Sequence, residues 1–203
     1  MKNDITYCKT FKQKYRVSSA RADWHDYNKG IFFVTICTKN REHHFGEIAD
    51  SVMHLSEIGE YAEEQLRNVK QHYSYADIPS FVVMPNHIHC IIIIKENVNM
   101  GGCTVETMCT SSLQTRGVER NNRWKTDVVN QNMRNISLHR GKLSTTIGGL
   151  KRAVTCYAHI NNIYFCWQPR FYDVIIKNAA EMNRTVGYIE NNVSKWESDE
   201  LNL

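Results

Sequence analysis

The chain has 203 residues, 42% of them apolar and 23% charged, with a formal net charge of +4. That size and balance fit one globular domain with room for insertions. No apolar run approaches the ~18 residues of a membrane span, and the polar, basic start MKNDITYCKTFKQKYR is not a secretory signal, so a cytoplasmic protein without a membrane partner is expected. Seven cysteines without a CxxC pair argue against a disulfide framework and for a reducing compartment.

Residues 1–27 form a mixed, basic arm that includes Arg16. The run from Gly30 to Thr38, GIFFVTICT, is β-branched and aromatic with little polar alternation, which predicts a strand covered on both faces. Lys39-Asn40-Arg41 is a polar turn, and His43 and His44 after it read as surface residues. Ser56 opens a helix with Glu57 and Glu60 in its first turns, where negative charge suits the helix dipole. Its buried stripe is Ile58, Tyr61, Ala62, Leu66 and Val69.

Ile78 to Met84 is a second strand, followed by Pro85-Asn86 and a third strand, so the two form an antiparallel hairpin. The third strand begins HIHCIIII. Side chains on a strand alternate faces, so His87 and His89 point the same way, and Ile88 faces the core. Two imidazoles on one rigid strand can hold one metal ion or one phosphate. The spacing alone leaves that reading and a purely structural one both open.

Residues 97–142 are rich in Asn, Ser, Thr, Gly, Gln and Arg without periodicity, which predicts a flexible insertion. Ser144 opens another helix with Ile147, Leu150, Val154, Tyr157 and Ala158 on one stripe, and Lys151 and Arg152 off it. Phe171 to Ile176 is a fourth strand, a last helix runs from Ala179 to Asn192, and 197–203 is a tail.

Strand, helix, strand, strand, helix, strand is the order of a split β-α-β ferredoxin-like unit. The expected fold is α+β: an antiparallel sheet with helices on one face and an extra C-terminal helix. Tyr188 and Asn192, four apart, share a face of that last helix. If the helix crosses the open sheet face, it brings a phenol and a carboxamide to the two imidazoles. An amide oxygen is a hard ligand suited to magnesium or manganese. A phenol with a pKa of about 10 is a poor nucleophile unless a cation helps it. The helix by itself favours a Tyr188 ring that merely packs on the core.

Taken together, GIFFVTICTKNR, MPNHIHCIIII, LSTTIGGLKRAVT, WQPRFYDVII and YIENNVSKW resemble the single-tyrosine (Y1) HUH transposases of the insertion-sequence 200/605 type. The resemblance is closer still to the transposase-like proteins associated with repetitive extragenic palindromes. It covers most of residues 28–196 as one domain, with 97–142 long for the family core. It implies metal-dependent cleavage and strand transfer of single-stranded DNA at hairpins through a 5′-phosphotyrosine. Tyr188 matches the nucleophile, His87 and His89 match the paired metal ligands, and Asn192 matches the third ligand, with Mg²⁺ or Mn²⁺ as the ion. Arg16, Lys151, Arg152 and Arg170 are candidates for contacts to the DNA hairpin. The family includes monomers and dimers, and works in the bacterial cytoplasm, at the nucleoid when on DNA. The alternative is a domesticated protein that holds DNA hairpins without cutting them.

Overall fold

A computed structural model describes residues 25–96 and 141–202. The arm with Arg16 and nearly all of the 97–142 insertion lie outside the described residues. Among the described residues, six strands and four α-helices follow in order: β1 (Gly30–Cys37), β2 (Gly46–Ala49), β3 (Val52–Leu55), α1 (Glu57–Arg67), α2 (Val69–His72), β4 (Ala76–Met84), β5 (His87–Ile94), α3 (Lys142–Ile160), β6 (Tyr172–Ile176) and α4 (Ala179–Glu190). A 3-10 turn, Val193–Ser198, follows α4.

The main sheet is antiparallel with strand order β4-β5-β1-β6. β1 and β5 lie in the middle, which is why both read as nearly unbroken apolar runs. One face carries Phe32, Val34, Ile36, Ile88, Cys90, Ile92 and Ile94 into a core closed by α1 and α3. The two helices meet through stacked Tyr61 and Tyr157 rings, 4.2 Å apart. Full burial of Phe32, Ile36 or Ile92 removes enough apolar area to be worth about 1.5–3 kcal/mol each. The opposite face carries Ile31, Phe33 and Ile91, and α4 lies across it through Met182, Val186 and Ile189. The extra C-terminal helix therefore sits on the face that α1 and α3 leave open, the one toward which His87 and His89 project.

Local chemistry explains the boundaries. Ser56 caps α1 by accepting from the Gly59 amide at 3.2 Å, while its hydroxyl donates to the His44 carbonyl at 2.7 Å. At α4, Asn178 Oδ1 accepts from the Glu181 amide, and Glu181 Oε2 accepts in return from the Lys177 amide. This is the reciprocal arrangement of a capping box, shifted by one residue at its return contact. Pro79 is tolerated because β4 is an edge strand, and the register shifts between Asp77 and Ser80 around it.

Three differences from expectation have physical causes. The β2–β3 hairpin was not anticipated: its turn is Asp50-Ser51, both at positive φ (51° and 61°), without the glycine that usually marks such turns. His44 is no surface residue. Its ring turns inward against Phe165 at 5.2 Å and faces the Glu42 carboxylate at 3.1 Å. Residues 199–201 fold back instead of trailing away: Arg41 donates to the Glu200 carbonyl and Asn86 to the Leu201 carbonyl, both at 2.7 Å.

Candidate active site

The site starts from the alternation of β5. His87 and His89 leave the same face, their ring centroids 4.4 Å apart, and both are buried. Each ring is held by its Nδ1. His87 Nδ1 lies 2.7 Å from Asn86 Oδ1, and His89 Nδ1 lies 2.9 Å from Thr35 Oγ1. Asn86 spends its amide on the Leu201 carbonyl, so its oxygen is the acceptor and His87 carries its proton on Nδ1. Both Nε2 atoms are thereby left for the common space between the rings. Fixing the far nitrogen of an imidazole in this way is how metal-ligating histidines are oriented.

α4 supplies the phenol. Tyr188 Oη lies 3.2 Å from His89 Nε2, and Phe33 steadies both rings, stacked on His89 at 5.1 Å and edge-on to Tyr188 at 5.9 Å. One turn on, just beyond the helix end, Asn192 retains αR backbone angles, and its side chain acts to lower the pKa of the phenol. The structure thus brings together Tyr188, His87, His89 and Asn192, residues expected from sequence to share one site.

Electrostatics favour a cation here. Burial pushes both histidines down to about 3, aided at His87 by the nearby Arg41 and at His89 by His87. They are therefore neutral at physiological pH, with lone pairs available. Burial raises the Tyr188 pKa, and the Asp199 and Glu200 carboxylates raise it further against the opposing Asn192 hydrogen bond. The phenol is protonated at neutral pH and cannot attack without help.

Two buried atoms lack a partner at this spot: His87 Nε2 and Asn192 Oδ1. An unsatisfied buried polar atom costs about 1–3 kcal/mol, and a divalent ion would satisfy both. Asp199 adds a carboxylate. Its oxygen and the ligand nitrogens of His87 and His89 all lie within 4.8 Å of one another. The donor set of imidazole nitrogens, amide oxygen and carboxylate fits a metal ion.

Asp199 was missed in sequence, and nothing in the charged tail ESDE could have flagged it. Thr35 carried a signal: it is the lone hydroxyl inside an apolar strand, and the β1–β5 register sets it opposite His89. Asn86, fully buried, read only as a turn residue. Thr38, also fully buried, holds it from behind, its amide and hydroxyl both reaching the Asn86 carbonyl at 2.9 Å.

The other basic candidates lie elsewhere. Lys151 donates to the Gln168 and Arg170 carbonyls at 2.7 and 2.9 Å and sits 5.4 Å from the Trp167 ring centroid. Burial lowers its pKa to about 8. Its ammonium braces the loop that Arg170, itself at φ 69°, carries. Arg152 and Arg170 are exposed, and Arg16 is outside the described residues.

No family model matches the chain. It is 32% identical over 179 residues to an uncharacterized protein of Haemophilus influenzae, spanning 86% of each chain. Among solved structures it is similar to a REP-associated tyrosine transposase bound to a REP hairpin. That match has a TM-score of 0.53 at 19% identity and covers 89% of this chain and 74% of the other.

Proposed function

The chain belongs to one family with the Haemophilus influenzae protein and has the fold of the REP-associated tyrosine transposase, and from that premise we propose that it is a single-tyrosine nuclease and strand transferase for single-stranded DNA beside a hairpin. The observation that carries this is the 3.2 Å contact between Tyr188 Oη and His89 Nε2, beside a second imidazole whose Nε2 is buried and unpartnered.

His87, His89 and Asn192, with Asp199 alongside, would hold Mg²⁺ or Mn²⁺. When bound, that ion neutralises charge on the scissile phosphate and orients it. The protein's part is positional. Phe33 and α4 aim the phenol, and Asn192 donates toward its oxygen, favouring the phenolate over the protonated form. Tyr188 Oη gives up its proton to solvent and attacks phosphorus, the bond to the 3′ oxygen breaks, and that oxygen takes up a proton from solvent and leaves as a hydroxyl. The 5′-phosphotyrosine keeps the phosphodiester energy, so a 3′-hydroxyl can reverse the step without another energy source.

The experiment is a denaturing gel of purified protein with Mg²⁺ or Mn²⁺ and a hairpin oligonucleotide from the DNA flanking its gene. Protein-linked DNA is expected for the parent chain. With Tyr188→Phe the adduct disappears while hairpin binding survives. Hairpin binding by the parent chain without an adduct, across metals and flanking sequences, would make it a hairpin-holding module instead.

A further inference from the structure

A cleft of about 360 Å³ opens on the far side of Tyr188, between α4 and the edge strand β6. Phe33, Val174 and Ile176 form its apolar wall, and Arg184, Thr185 and Tyr188 face them from the helix. The apolar side is not sealed. Val174 and, beside it on the same sheet face, Tyr172 are each 61% exposed, unusual for such residues on a sheet. The β1–β6 register sets Val174 opposite Phe33 and Tyr172 opposite Thr35, so this shelf continues the His89 row outward across the sheet.

We propose that this cleft seats the unpaired base next to the scissile phosphate, with the shelf of Tyr172 and Val174 receiving its face and Arg184 meeting the backbone. The proposal rests on the nuclease reading. Tyr188 is wall to both the cleft and the metal-binding space, so a strand whose phosphorus reaches Tyr188 Oη has its neighbouring nucleotide at the cleft mouth. A wall that is apolar and aromatic with one cation suits a nucleotide, because bases stack without regard to sequence while a guanidinium takes the phosphate. The one acid lining the cleft is already engaged: Glu181 Oε2 accepts from the Lys177 backbone amide and Oε1 from the Asn178 side-chain Nδ2, both at the N-terminal end of α4. The positive charge of Arg184 is left to face the groove. A second copy of the chain pairing along the β6 edge would not cover these groups, since Tyr172 and Val174 project from the sheet face and not from its edge.

The test compares two probes on full-length Tyr188→Phe protein by filter binding: a hairpin from the gene's flanks with a single-stranded extension, and the same hairpin blunt-ended. Stacking of one base on an aromatic ring such as Tyr172 is worth about 1–3 kcal/mol, so Val174→Asp, which sets a carboxylate on the same shelf, should weaken the extended probe by up to about 150-fold and leave the blunt probe unchanged. Arg184→Gln should weaken the extended probe and lower the slope of log affinity against log salt by about one. Both positions are exposed or open to the cleft, and circular dichroism checks that the variants fold. Equal loss on both probes, or none, overturns the subsite, as does a Val174→Asp change in oligomeric state on light scattering. If the Tyr188 chain forms no adduct with any probe, the nuclease reading itself has failed. If it forms an adduct and Val174→Asp binds the extended probe as tightly as Val174 protein does, only the subsite is lost.

Discussion

At the scale of single residues, the two histidines link the site to stability. An ordinary histidine titrates near 6.5, and here burial holds both down to about 3. Between those values the unfolded chain binds protons that the folded chain refuses. Stability is therefore fully present above about 6.5 and is lost as pH falls toward 3, at up to about 1.4 kcal/mol per pH unit for each histidine. Urea midpoints measured in chelator at pH 7 and pH 5 should fall on acidification, and His87→Gln should flatten that dependence. An unchanged pH slope in the variant would mean that His87 is not buried neutral. Much of this was legible beforehand. Period-two alternation put His87 and His89 on one face, and four-residue spacing put Asn192 beside Tyr188. The supports were harder to see: Thr35 stands out as a hydroxyl in an apolar strand but reaches its histidine across strands at no fixed spacing, and Asn86, adjacent to His87, reads as a turn residue.

At the scale of elements, the order of strands and helices followed from periodicity, while the short hairpin β2–β3 did not. Four-residue strands carry too little alternation to stand out, and Asp50-Ser51 reaches the left-handed region without glycine. That hairpin delivers the chain to Ser56 and fixes where α1 begins. Helix α1 approaches the preceding segment so closely that a Cβ on Gly59 would collide with the Phe45 backbone carbonyl. Gly59→Ala should therefore destabilise the fold by about 1–3 kcal/mol, despite alanine's higher helix propensity. Thermal melts read this directly. A gain in Tm would show that α1 can move outward at no cost.

At the scale of the whole molecule, the site draws on segments far apart in the chain, with His89 and Tyr188 separated by 99 positions. β5 brings the imidazoles, α4 the phenol, and the last residues the Asp199 carboxylate, tied down through Arg41 and Asn86. This convergence is what the sequence could not display, because a tail has no period and its position depends on carbonyls that any residue could offer. Removing one of the oxygen donors should tell. Asp199→Ala is expected to weaken Mn²⁺ binding by about tenfold or more, as loss of groups around a metal typically does, with calorimetry as the measurement. Unaltered affinity would leave Asp199 as a neighbour of the site only. Trp196 bears on how such titrations can be followed. Its indole is nearly buried, with its centroid 6.1 Å from that of the His87 ring. A paramagnetic ion seated between the imidazoles would quench that indole's emission, so the protein carries its own optical gauge of occupancy, readable in a cuvette without any label.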